Sequence, residues 1–136
     1  PRPFDRFKLA MPGVLAIEAP KYESEQQTEK QIAVLNDALK GDNWDGLPLI
    51  VLCDDAGFVA QSIANLVWVS FTRSNPANDI HGINSFTEHK HWGCRGALII
   101  DARVKLHHAP ALIKDAQVEK HVDRLGLAGA SLYGVV

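Results

Sequence analysis

A chain of 136 residues and 14.9 kDa, 46% hydrophobic and 22% charged, has the composition expected of one compact domain with its own core, residues 1–136, and is neither disordered nor a repeat array. The formal charge of -2 gives no electrostatic basis for binding nucleic acid or an anionic membrane, both of which need clustered Lys and Arg. No run reaches the roughly 20 apolar residues of a membrane span, because Gln61, Ser62 and Asn65 interrupt the longest candidate. Two cysteines, Cys53 and Cys94, are too few for a disulfide scaffold, so a reduced, cytoplasmic setting is expected.

The opening "PRPFDRF" has neither an initiator Met nor a signal-peptide pattern, as in an excised fragment or trimmed chain, and it reads as irregular. "GVLAIEAP", 13–20, then reads as a strand closed by Pro20, which has no amide to donate to a ladder. Ser24 with Gln27 forms a capping-box pattern, and Thr28, Ile32, Leu35 and Leu39 recur at helical spacing before Gly41, so a one-faced helix is expected there. The continuous apolar run "PLIVLC" predicts a strand covered on both sides, with Asp54 and Asp55 placed to cap the next helix.

That helix is expected to run unbroken from about Gly57 to Arg73 and to stop before the Ser-Asn-Pro sequence. At about 100° per residue, Val59, Ile63, Leu66, Val67, Ser70 and Phe71 share a core face with Ala60 and Ala64. Phe58, Trp68 and Val69 are left on the opposite side with Arg73. Such stranded apolar groups point either to a covering loop or to a subunit or domain interface, for which Phe58, Trp68, Val69 and Arg73 are the candidates.

Ser74 to Arg95 reads as a long polar loop, followed by a strand at "ALIIDAR", a helix from about Asp115 to Leu125 with Val118, Val122 and Leu125 on one side, and a possible last strand at "SLYGVV". The order predicts an α/β fold: a layered domain with a mixed or mostly parallel sheet flanked by about three helices.

The 81–94 region is the richest in chemistry. It carries His81, Glu88, His89, His91 and Cys94, with His107 and His108 downstream, and His89, His91 and Cys94 are the types that hold zinc. A stand-alone metal-binding enzyme or module is therefore the alternative reading, although the spacing matches no strong zinc pattern. A Cys94–His nucleophilic pair lacks a third, orienting residue. Asp54 and Asp55 sit where α/β proteins gather ligands, but as helix caps they are already accounted for. No phosphate-cradling glycine motif is present.

"PLIVLCDDAGFVAQSIANLVWVSFTRSNPANDI" resembles the carboxyl-terminal domain of the UbiD family of decarboxylases, in which an apolar strand ends in acidic residues and is followed by a W-x-x-x-x-R helix and a Pro-x-x-Asp. The matching positions are Asp54, Asp55, Trp68, Arg73, Pro76 and Asp79, and "MPGVLAI", "GALIIDARVKLHHAPALIKD" and "LGLAG" extend the likeness. The chain departs in having "CDDAGF" where many members carry a longer acidic string. The resemblance implies that full-length relatives reversibly decarboxylate aromatic or α,β-unsaturated acids using prenylated FMN and metal ions. Both are held by a larger amino-terminal flavin domain or subunit, so no catalytic or cofactor-binding residue is expected in this chain. The same resemblance implies a packing and oligomer-forming role, with a homo-oligomer as the expected assembly.

Overall fold

A computed structural model describes residues 4, 6–110, 113 and 115–135. Its centre is a five-stranded mixed sheet of order β1-β2-β3-β7-β4, built from Phe7–Met11 (β1), Val14–Glu18 (β2), Leu49–Cys53 (β3), Ile80–Gly82 (β4) and Leu98–Asp101 (β7). β2, β3 and β7 run parallel, and the edge strands β1 and β4 are antiparallel to their neighbours. The layered α/β expectation holds, with a mixed sheet.

Side-chain alternation along the parallel strands creates two cores. Ile17, Ile50, Leu52 and Ile99 point to one side, where Leu35 of helix α1 (Glu25–Leu39) is fully buried among them. Ala16, Val51 and Cys53 point to the other, beneath Ala56 and Val59 of α2 (Ala56–Val59) and Leu66 and Val69 of α3 (Ile63–Thr72). The capping pattern behaves as expected: Ser24 Oγ accepts from the Gln27 N–H at 3.3 Å.

Four expectations need correction. First, the opening is not irregular throughout, since Phe7–Met11 pairs with β2 through a tight turn at Gly13, whose φ of 86° suits glycine. Second, 57–73 is not one helix. α2 ends at Val59, and Ser62 starts α3 afresh by accepting the Asn65 N–H at 3.1 Å, while Asn65 Nδ2 donates back to the Phe58 carbonyl at 2.9 Å. The break resets the helical phase. Val69 therefore packs in the core, and Ile63, Val67 and Phe71 face outward at 61%, 48% and 73% exposure rather than inward.

Third, the polar segment 74–95 is not a structureless loop: it contains β4 and a hairpin of β5 (Ser85–Glu88) and β6 (His91–Cys94). The hairpin turn is His89–Lys90, both with positive φ, 49° and 67°. Primed two-residue turns normally advertise themselves with Asn-Gly or Asp-Gly, so His-Lys conceals this one. β6 lies so close to β4 that a Cβ on Gly82 would collide with the Cys94 side chain. Fourth, Ser131–Val135 forms turns rather than a strand, and Val136 lies outside the described residues. α4 (Ala116–Leu125), capped by Asp115, is the expected last helix, and none of its residues is buried; the described residues hold four helices because 57–73 is split in two.

Candidate functional site

The carboxyl ends of β3 and β7 lie side by side, and the residues leaving them build the most developed polar site of the molecule. Asp101 ends β7 with no exposure, and Arg103, two residues on, turns its guanidinium back onto it. Arg103 Nε and Nη2 donate to Asp101 Oδ1 and Oδ2 at 2.9 and 2.7 Å, a bidentate pair. Its remaining donors reach the Pro20 carbonyl and Gln31 Oε1, both at 2.7 Å, and Thr28 Oγ1 at 3.0 Å. One buried guanidinium thus ties β7, the end of β2 and α1 together.

Lys105 repeats the device on the other side. Its buried Nζ donates to the carbonyls of Asp101 at 2.8 Å and Arg73 at 3.1 Å, and it pairs with Asp79 Oδ2 at 3.3 Å. Asp79 Oδ2 also accepts the Asn75 N–H at 2.6 Å, fixing the turn after α3. Burial works to raise the Asp101 pKa, but the Arg103 hydrogen bonds and the charges of Arg103 and Lys105 outweigh it and hold the carboxyl below its usual range. Burial lowers the pKa of nearby His81, against opposition from Asp101 and Asp79.

Next to this network lies an open cleft of about 420 Å³ lined by Asp54, Phe58, Trp68, Arg73 and Val104. It is continuous through Trp68, Arg73 and Val104 with a second hollow of about 260 Å³ reaching His108 and Pro110. Phe58 and Trp68 meet edge to face at 6.4 Å, and the Arg73 guanidinium lies 5.0 Å from the Trp68 ring centre. Arg73 also pairs with Asp54 Oδ2 at 3.3 Å, and that oxygen accepts the Val104 N–H at 2.9 Å.

The structure brings Phe58, Trp68 and Arg73 together at one cleft, with Val69 buried in the core at its floor. It also separates the roles of the two aspartates. Asp55 caps α2 through the Phe58 N–H at 2.9 Å, whereas Asp54 is no cap but the anchor of Arg73 and of the segment after β7. The zinc-type residues do not converge. His89 sits in the hairpin turn and His91 and Cys94 stand at opposite ends of β6, and among the described residues no three His, Cys, Asp or Glu side chains form a metal-binding group. Burial pushes the Cys53 thiol up to about 12 and raises that of Cys94, so neither is poised as a thiolate.

The cations of the site are matched to carboxylates or carbonyls of the same chain. Arg103 and Lys105 are the residues that reading the sequence failed to single out. A signal was present, because Asp-Ala-Arg-Val-Lys places three charges at alternate positions directly after a buried strand, a pattern that a solvated exit would not require.

No known protein-family model matches the chain. Over 85 residues, 62% of its length, the chain is 33% identical to an uncharacterised protein of Chlamydia muridarum. Over 73 residues, 53% of its length, it is 36% identical to a 4-hydroxybenzoate decarboxylase subunit of Chlamydia pneumoniae. The matched segments amount to only 14% and 12% of those proteins, which are far longer than this chain. No helix among the described residues is long and apolar enough to cross a membrane.

Proposed function

We propose that the chain is the carboxyl-terminal packing domain of a UbiD-type decarboxylase, cytoplasmic and not catalytic by itself. The observation that carries this reading is the 36% identity to a decarboxylase subunit over 73 residues. The structure adds physical support, because the positions shared with the family motif have structural duties: Asp54 holds Arg73, Arg73 stacks on Trp68, and Asp79 holds Lys105. A domain whose distinctive residues brace each other around a half-apolar cleft is suited to docking. In this reading the cleft at Phe58, Trp68 and Arg73 faces the flavin domain or subunit and forms part of the wall of the substrate cleft.

The donors around the cleft do not fit an FMN phosphate. Arg73, Arg103 and Lys105 are engaged by Asp54, Asp101 and Asp79, the first and third amides of α2 by Glu18 and Asp55, and the third amide of α3 by Ser62. A phosphate site needs free donors of those kinds. In this reading prenylated FMN and its metal ions are held by the flavin domain or subunit, which would supply the chemistry of reversible decarboxylation on aromatic or α,β-unsaturated acids.

The test compares the isolated chain with the complete polypeptide or complex carrying it, each produced in cells that make prenylated FMN. The chain alone is expected to show no flavin absorbance and no CO2 release from a panel of such acids that includes 4-hydroxybenzoate, and the complete assembly to show both. Stoichiometric flavin or decarboxylation in the isolated chain, or failure of the loaded assembly on every acid, would overturn the reading.

A further inference from the structure

His81 stands at the middle of β4, opposite Ile99 in register. Ile99 packs on the α1 side of the sheet, so the imidazole lies on that side too, beside Asp101 of β7. Its Nε2 is buried with no hydrogen-bond partner among the described residues. A neutral imidazole keeps one nitrogen free of a proton, whereas an imidazolium must donate from both. Charging the ring where it sits would therefore add a desolvated charge to an unmet donor. The neighbouring charges offer little relief. Asp79 and Asp101 favour the proton and Arg103 and Lys105 oppose it, and the two carboxylates are already held, Asp101 by Arg103 and Asp79 by Lys105.

Relief lies to one side. A polar hollow of about 260 Å³ opens between the start of α1 and the turn before β4, lined by Tyr22, Glu25, Glu29, Asn78 and Asp79 as well as His81. Glu25 and Glu29, one helical turn apart on α1, are exposed there. β4 is also poorly placed to resist a pull toward the hollow. It has three residues, lies at the sheet edge and pairs with β7 alone, and such segments open at lower cost than the body of a fold. We propose that His81 is a proton-operated latch: neutral, it lets β4 lie against β7; protonated, it turns into the hollow toward Glu25 and Glu29 and lifts residues 79–82 from β7 while the rest of the sheet stays folded. The opening has limits in the chain itself. Ile83 is fully buried, and Asn84 is tied to α1 through Asn36 Oδ1 at 2.8 Å and the Lys40 carbonyl at 2.9 Å. The latch belongs to the fold and does not depend on the decarboxylase reading.

The test is hydrogen exchange of the 136-residue chain, resolved along the sequence and corrected for intrinsic exchange, between about pH 7.5 and pH 5. Burial lowers the His81 pKa in the closed form, so opening takes up a proton and becomes easier as pH falls below the ordinary value of 6.5. Protection of residues 79–82 should then drop severalfold while that of Leu49–Cys53 holds. His81→Gln, neutral at every pH, should abolish the pH dependence. Burial likewise lowers the pKa of His108, whose Nδ1 accepts the Lys105 N–H at 3.1 Å, and the His81→Gln arm separates the two histidines. Should that variant not fold, an NMR titration of the unmodified chain serves instead: His81 should titrate below 6.5, with the amide signals of 79–82 following the same curve. Equal loss of protection in β3, a pH dependence that survives His81→Gln, or a His81 that titrates at or above 6.5 would overturn the latch.

Discussion

The β5–β6 hairpin and the exit from β7 invite comparison, because both carry charged and chemically versatile side chains and only one of them concentrates these. The hairpin holds His89, His91 and Cys94 within six residues of sequence, and its geometry spreads them along a two-stranded ribbon. The β7 exit contributes only Asp101, Arg103 and Lys105, yet these gather partners from residues 20, 28, 31, 73 and 79 into one buried network. Closeness along the chain is thus a poor guide to convergence. What matters is whether the backbone at that point is buried: a charge that cannot reach water must find its partners inside.

The comparison can be broken most directly at Arg103. Arg103→Ala leaves the Asp101 carboxylate buried without its bidentate partner and is expected to cost about 3–5 kcal/mol, read as a lowered urea midpoint at unchanged slope. Arg103→Lys, which keeps the charge but not the fork, should lose less; equal losses would show that charge alone matters.

Acid should act next, in two stages with the same sign. His81 has a lowered pKa in the fold, so the unfolded chain takes up its proton first, and stability should begin to fall as pH drops below about 6.5. Asp101 is also depressed, so its contribution is fully present above its ordinary value near 4 and is lost as pH falls through the lower value it has in the fold. Urea midpoints measured against pH would check this, with His81→Gln expected to remove the upper stage and Asp101→Asn the lower. A midpoint flat from pH 7 to 3 would contradict both assignments.

The smallest effect is expected at the hairpin. Replacing His89 and His91 by Ala should change stability by no more than about 0.5 kcal/mol and leave zinc binding by the chain, measured by metal analysis after dialysis, as weak as before. A stoichiometric zinc lost on that replacement would instead revive the metal-module alternative.

The same contrast explains how much could be read from the sequence. The parallel strands were legible because Leu49–Cys53 and Leu98–Asp101 are apolar runs, and α1 because Ser24 and Leu35 obey local rules of capping and periodicity. The surface of α3 was not legible. A three-residue interruption at Ala60–Ser62 changes the phase of every later side chain, and Gln61-Ser62 contains neither Gly nor Pro to announce it. Of the candidate surface, Phe58, Trp68 and Arg73 came together as grouped, while Val69 was misplaced for that same reason. The Arg103 and Lys105 network depends on partners up to 83 residues away, which no local pattern encodes.

The break between α2 and α3 also constrains how this chain can vary. One residue added to or removed from Ala60–Ser62 would turn α3 by about 100°, carrying Val69 out of the core and swinging Ile63, Val67 and Phe71 away from their present outlook. The turn at 40–48, which precedes β3, imposes no such phase on a helix. Homologous sequences should therefore differ in length at 40–48 far more readily than at 60–62, even where the residues filling the break are themselves exchanged.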